Sequence, residues 1–263
     1  MRRDPYVLFQ SPPIGPIALE ALRLAGYPPT AVIDDKSLTP EQQIEIIEAA
    51  KPTFLLVVGF GAILKQRVLD TVAGQVLNIH PSLLPLYRGP APVVQTILDG
   101  ALEAGVSLME IDKQMDHGPV LAQDSIPLRG DELPEELYKI LTIKGVHLFL
   151  EHIDAYLDDT LDMLPQMHEE ATITHFVKKD DGLLDFSKPA DELEREVRAY
   201  HGWPRSFTEF KGKRLIIEKA HVTDDQLRFD LVQPEGGKLM TLKEFLNGAR
   251  VSEEEFYKTL SNL

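Results

Sequence analysis

The sequence predicts an α/β protein, with a mostly parallel sheet in residues 1–170, a linker over 171–190 and a small β-rich domain over 191–263. Three observations carry that expectation. Short β-branched or aliphatic runs alternate with helical patterns through the first half, the mark of βαβ units. The alternation stops after a long helical pattern ending near Leu157, and beyond Phe207 two extended runs follow each other with almost no connection. Apolar residues make up 43% and charged residues 26% of the chain, the composition of a packed globular protein and not of a disordered or coiled-coil one.

Tyr6-Val7-Leu8-Phe9 is the first strand, and Ser11-Pro12-Pro13-Ile14-Gly15 turns it into a helix over residues 16–24. Pro16 suits the first turn of that helix, and Ile17, Leu19, Leu22 and Leu24 supply its apolar residues. A short strand follows over residues 31–33. Thr39-Pro40-Glu41-Gln42 has the form of a capping box, the Thr39 hydroxyl accepting from the first turn and Gln42 reaching back, so a helix runs to about Ala50. Residues 54–58 form a buried strand that leaves the sheet through Gly59 and Gly61, which permit a tight loop and close approach of a ligand. Residues 76–80, 106–111 and 120–127 are further strands, and 91–98 is a helix. Asp131 is placed to cap the long helix to Leu157, with Leu137, Ile140, Leu141, Val146, Leu148 and Leu150 on its buried side. Residues 173–185 read as a linker that partly pairs as strand, 191–199 as a short charged helix, and 207–222 with 226–232 as a small β unit.

The chain has no cysteine, which removes thiolate chemistry and every cysteine-ligated metal centre. Its eight histidines form no His-x-x-x-His or similar pair, so no metal is expected, and His147, His152 and His168 read as surface or core residues. The longest apolar run, Phe54 to Leu64, is too short to cross a bilayer, and residues 6–9 are too short for a secretion signal. A cytoplasmic protein with no membrane partner is expected. A net charge of -15 argues against nucleic acid, because phosphates are bound by Lys and Arg. That charge is uneven: residues 1–186 carry 14 Lys+Arg against 28 Asp+Glu, whereas 187–263 carry 13 against 14, with a locally basic stretch from Arg198 to Lys219.

Strand side chains alternate, so Asn78 and His80 project from one face, at the carboxyl end of a strand where open α/β sheets place their ligand crevices. The loop that follows, Pro81-Ser82-Leu83-Leu84-Pro85-Leu86-Tyr87-Arg88-Gly89, is pinned by prolines and a glycine. Asp116 lies in Lys113-Gln114-Met115-Asp116-His117-Gly118, after a strand that can pair beside the Asn78 strand.

Asn-x-His-x-Ser-Leu-Leu-Pro-x-Tyr-Arg-Gly followed by an Asp in a Met-Asp-x-Gly loop resembles the folate-dependent formyltransferase family. The resemblance implies a Rossmann-like fold with a carboxyl-terminal OB-like barrel, and an enzyme that moves a formyl group from 10-formyltetrahydrofolate to an amine. Asn78, His80 and Asp116 match the family's catalytic residues. The resemblance places the folate against Ala62, Ile63, Leu64 and Leu69, against Ser82, Leu83, Leu84 and Pro85, and against Ile111, Asp112 and Met115. Methionyl-tRNA is the acceptor it favours, with Ser11, Pro12, Arg88, Arg205, Lys211, Lys213 and Arg214 as substrate contacts. For Ile63, Leu64 and Leu69 ordinary core packing explains the residue types equally well, and Arg88 is equally suited to a neighbouring carboxylate.

Two departures bear on the acceptor. Between Asp35 and Thr39 the family usually carries a long insertion with a basic loop, and between Val222 and Gln226 its barrel has several more strands; both are nearly absent here, which predicts a truncated barrel. An amino-sugar nucleotide is therefore the alternative acceptor, and hydrolysis of formyltetrahydrofolate a more distant one.

Overall fold

In a computed structural model, the described residues are 3–72 and 75–260; Met1-Arg2, part of the amino-terminal reading, lies outside them. The chain divides into two compact units, one built from the stretches up to Val93, Leu102–Leu128 and Glu135–His175, the other from Val94–Ala101, Arg129–Pro134 and Phe176 onward.

The first unit holds a six-stranded sheet in the order β2-β1-β3-β4-β5-β6. Its strands are β1 (Tyr6–Gln10), β2 (Ala31–Ile33), β3 (Phe54–Val58), β4 (Val76–His80), β5 (Glu103–Glu110) and β6 (Val120–Pro127). The first four are parallel, while β5 runs against β4 and β6. Both faces of β1 and β3 are buried, so these strands read as unbroken apolar runs and not as alternation. On one face Tyr6 stacks on Phe54 at 5.1 Å and lies 5.9 Å from Phe149 of α5 (Pro134–Leu157). On the other, Val7, Phe9, Leu55 and Val57 pack with Ile47 of α2 (Pro40–Ala50) and with Val68 and Leu69 of α3 (Gln66–Leu69). Each such side chain contributes about 1.5–3 kcal/mol by leaving water. The capping box forms, with Gln42 N donating to Thr39 Oγ1 and Thr39 N to Gln42 Oε1. Gly145 lets α5 lie directly on β4, since a Cβ there would stand 2.3 Å from Ile79 Cγ2.

Two helices differ from expectation. In α1 (Gly15–Leu24) the buried residues are Gly15, Ala18 and Leu22, and Leu24 is 80% exposed. Leu22 and Leu24 are about 200° apart around the helix, so one face cannot bury both. The long helix begins at Pro134, and Asp131 is exposed and does not cap it. Glu132 acts in this turn instead, accepting from Arg129 N at 2.7 Å and Gly130 N at 3.0 Å. Ile140, expected on the buried side of α5, is 41% exposed, while Phe149 is fully buried.

Burial raises the Glu132 carboxyl pKa, but the backbone N–H groups of Arg129, Glu132 and Gly130 outweigh it and hold the carboxyl below its ordinary value. A lowered carboxyl pKa stabilises the fold above the unfolded-state value, about 4.3 for glutamate, and that stability is lost as pH falls through the folded value. Glu132→Gln is therefore expected to be less stable than the native chain at neutral pH and equal to it in acid. Urea unfolding across that range reads the convergence; a pH-independent difference would rule out the linkage.

The second unit holds an open antiparallel sheet in the order β10-β9-β8-β7, built from β7 (Phe207–Phe210), β8 (Lys213–Thr223), β9 (Gln226–Pro234) and β10 (Met240–Thr241). An open four-stranded sheet is what the shortened barrel predicts. The β8–β9 connection is the pair Asp224-Asp225, both at positive φ, which is the backbone of a tight hairpin turn. Helices α6 (Ala190–Ala199), α7 (Leu242–Ala249) and α8 (Glu253–Leu260) cover the sheet, and their Val197, Leu246 and Phe256 share a core with Leu215, Phe229 and Val232.

Candidate active site

Strand order places two features at the carboxyl ends of the sheet. The chain moves from β1 outward to β2 and then back to β3 on the other side, which makes the β1–β3 gap a topological switch point. Ser11 sits there, buried, its Oγ donating to Gly59 O at 2.6 Å and lying 3.0 Å from Phe60 O. Beyond it, the Gly59 to Leu64 loop turns Ala62 and Ile63 outward, Ile63 being 82% exposed. Leu64 and Leu69 instead pack into the core around Phe9 and Phe60. Pro12 is exposed.

The second feature is the end of β4. Asn78 Nδ2 donates to Asp116 Oδ1 at 3.4 Å, and His80 Nδ1 lies 3.7 Å from Asp116 Oδ2. One carboxylate thus faces both a carboxamide and an imidazole. His80 Nε2 is 3.0 Å from Tyr87 O, an acceptor only, so Nε2 carries the proton and the neutral ring keeps its lone pair on Nδ1. If Nδ1 then takes a proton, both ring N–H groups have acceptors, Tyr87 O and Asp116. The three side chains are partly or largely shielded, with His80 6% and Asp116 15% exposed, which strengthens charge interactions among them.

The loop carrying Asp116 is closely held. Glu110 N donates to Pro119 O, Ile111 N to Val76 O, and Tyr156 Oη of α5 to Glu110 Oε2 at 2.7 Å. Burial, then the Glu110 carboxylate, push the Tyr156 phenol well above its ordinary value, so it remains a donor. Gly118 is required by closeness, because a Cβ there would stand 2.1 Å from Glu110 O. Within the loop, Asp112 accepts from His117 Nδ1 at 2.6 Å and from Gln114 N at 2.8 Å, Ile111 packs on the core, and Met115 is 51% exposed. Gly89 N donates to Asp116 Oδ2 at 2.8 Å, joining this loop to the one after β4.

The loop after β4 is held by bonds within itself and to β5 and β6. Ser82 Oγ donates to Leu86 O, Leu84 N to Ser107 Oγ, and Gln123 Nε2 to Leu84 O. Leu84 packs with Met109 and Val120, Leu83 lies against Gly105, and Pro85 is half-buried. Arg88 is buried and bonds Gln166 Oε1 and His168 Nδ1, neither of them a carboxylate. In the second unit, Arg205 is bound to Glu218 and Gln233, the Arg214 guanidinium lies 3.6 Å over the Phe207 ring, and Lys211 and Lys213 are exposed at the β7–β8 turn. Sequence reasoning did not single out Ser107, His117, Gln166 or Thr174, whose Oγ1 accepts from Ala91 N at 3.1 Å, and it read His168 as a surface or core residue. His117 and His168 stack at 3.8 Å, a pairing across 51 positions that no local pattern signals. Among the described residues no group of three or more His, Cys, Asp or Glu could hold a metal ion, and no helix is long and apolar enough to cross a membrane.

A mostly parallel sheet with this polar cluster at one strand end, followed by a small antiparallel sheet, defines a class with two family matches. Residues 14–153 match the model for formyl transferase, and residues 177–228 that for formyl transferase, C-terminal domain. The chain belongs to the formyl transferase family. It is 40% identical over 211 residues to a methionyl-tRNA formyltransferase of Roseiflexus sp. (strain RS-1), covering 80% of this chain but 64% of that protein, so it spans less than two thirds of that relative's length. A methionyl-tRNA formyltransferase of Desulfotalea psychrophila is 33% identical, with 95% of this chain and 82% of that one covered. The fold is shared with HypX of Aquifex aeolicus, solved in complex with tetrahydrofolic acid, at a TM-score of 0.69 and 16% identity over 93% of this chain and 47% of that one.

Proposed function

We propose that this chain transfers a formyl group from 10-formyltetrahydrofolate to the α-amino group of methionyl-tRNA. The observation that carries the reading is the Asp116 carboxylate facing the Asn78 amide and the His80 imidazole at once. The names of the relatives support the acceptor, and the folate complex of a protein sharing the fold supports the donor.

Attack of the amine on the formyl carbon places negative charge on the formyl oxygen. An Asn78 N–H already oriented by Asp116 stabilises that charge without reorganising. The amine becomes cationic as it attacks and must lose a proton. His80 Nδ1 holds the free lone pair, and Asp116 beside it stabilises the imidazolium that forms. The C–N bond to the folate then breaks, the proton goes to the departing folate nitrogen, and formamide and tetrahydrofolate result. No covalent enzyme intermediate is needed. Ala62 and Ile63 offer the folate ring exposed apolar surface at the switch point, next to the backbone of the Gly59 loop. In the second unit, Lys211 and Lys213 are exposed cations suited to the phosphates of a tRNA, whereas the charge of Arg205 is balanced by Glu218. A cytoplasmic location fits this reading.

Purified protein supplied with 10-formyltetrahydrofolate and either methionyl-tRNA or a panel of amino-sugar nucleotides tests the proposal. Tetrahydrofolate release is expected with methionyl-tRNA, with an affinity that falls steeply as salt rises. Release with an amino-sugar nucleotide alone would replace the acceptor, and release with neither would remove the activity.

A further inference from the structure

Gln166 lies between the two stretches that match the family models and is itself in no helix or strand. It is 8% exposed, and its amide is fully engaged. Nε2 donates to Asp116 O at 3.0 Å and to Gly118 O at 2.7 Å, while Oε1 accepts from Arg88 Nε at 3.1 Å and Nη2 at 2.6 Å. A single side chain therefore joins the loop that carries Asp116 to the loop after β4.

Both attachments bear on the reacting groups. Asp116 has a φ of 50°, a left-handed conformation disfavoured for a residue with a side chain. Its own carbonyl and that of Gly118 are bound by the two hydrogens of one nitrogen, which fixes the turn and hence the direction in which the Asp116 side chain leaves it. Across the bridge, Arg88 sits between Tyr87, whose carbonyl accepts from His80 Nε2, and Gly89, whose N–H donates to Asp116 Oδ2. We propose that Gln166 is a positioning residue for the transfer reaction, clamping the Asp116 turn to the Tyr87–Gly89 segment so that the carboxylate and the His80 ring keep their separation. The proposal rests on the reading of Asn78, His80 and Asp116 as the reacting cluster.

Three properties of a glutamine are used at once: two donors, an acceptor for a guanidinium, and neutrality beside a carboxylate. Gln166→Met keeps the length and loses every bond, so the buried Arg88 keeps only His168 of the two partners Gln166 and His168, and the two carbonyls lose the Gln166 donor. Gln166→Glu keeps the acceptor for Arg88 and loses both donors to the Asp116 turn, so it serves where the Met variant does not fold. The expected result is a fall in kcat of about 10- to 100-fold in each variant, with KM for the formyl donor nearly unchanged, because misplaced groups lose rate and not binding. In an Asp116→Asn background the same substitutions should lower kcat no further, since the group they position is already disabled. A second readout needs no turnover: nitrogen-15 NMR should show shifted Nδ1 and Nε2 resonances of the His80 ring in Gln166→Met, which adds no charge to the cluster. Full kcat, a loss that multiplies with that of Asp116→Asn, or unmoved His80 ring resonances would overturn the proposal. If the native chain transfers no formyl group, the proposed function fails, and the His80 ring resonances alone decide whether Gln166 positions the cluster.

Discussion

Asp116→Asn is expected to lower kcat for formyl transfer by about 10²- to 10⁴-fold, with the fold retained and KM for both substrates changed little. The substitution is nearly isosteric, and its amide oxygen can still accept from Gly89 N, the 2.8 Å bond that joins the two loops. What it removes is charge. In the native cluster that charge faces His80 Nδ1 across 3.7 Å and the Asn78 amide across 3.4 Å. Without it, an imidazolium forming at His80 loses its counter-ion, and the base that takes the amine proton is weakened when the proton arrives. Asn78→Ala, by contrast, leaves the base intact and deletes the donor to the developing oxyanion, at an expected loss of about 10²- to 10³-fold. Single-turnover rates at saturating folate distinguish these from binding defects. Either variant retaining more than half of the native rate would show that the cluster does not perform the chemistry.

The parts of the site that were legible in the sequence are those set by short-range geometry. Asn78 and His80 share a face because strand side chains alternate, and the β4 run is unmistakable. The capping box of α2 is readable because its two bonds span three residues. Direction is not local in the same way. The stretch from β4 through α4 (Pro92–Leu98) to β5 has the form of a βαβ unit, yet β5 pairs antiparallel with β4, Asn78 opposite Met109. Still less visible is Gln166, fifty positions from Asp116 and in a stretch without periodicity. Its role depends on three partners, Asp116 and Gly118 in one loop and Arg88 in another, which only the fold brings together. Before α5 the sequence offers Asp131, but the backbone of the turn aims the Arg129 and Gly130 N–H groups at its neighbour Glu132, which no local pattern singles out.

The second large effect concerns the shortened domain. An open four-stranded sheet leaves one face to be covered by something other than the missing strands of a barrel, and α6, α7 and α8 cover it. Phe256 of α8 is fully buried and is the hub, its ring 4.9 Å from Phe210, 6.0 Å from Phe229 and 6.1 Å from Phe245. Those partners come from β7, β9 and α7, so one ring holds helices to sheet at three places. Phe256→Ala removes most of the side chain from a site whose neighbours are themselves rigid aromatics, which limits collapse into the cavity; the expected loss is about 3–5 kcal/mol. That is a large share of the stability of any domain of this size. Hydrogen exchange at the β8 and β9 amides should accelerate by roughly two to four orders of magnitude, while β1 and β3, which have their own aromatic core around Tyr6 and Phe54, keep their protection. Exchange unchanged in β8 and β9 would mean that the sheet is stable without this packing, and acceleration spread equally over β1 and β3 would mean that the two cores unfold as one.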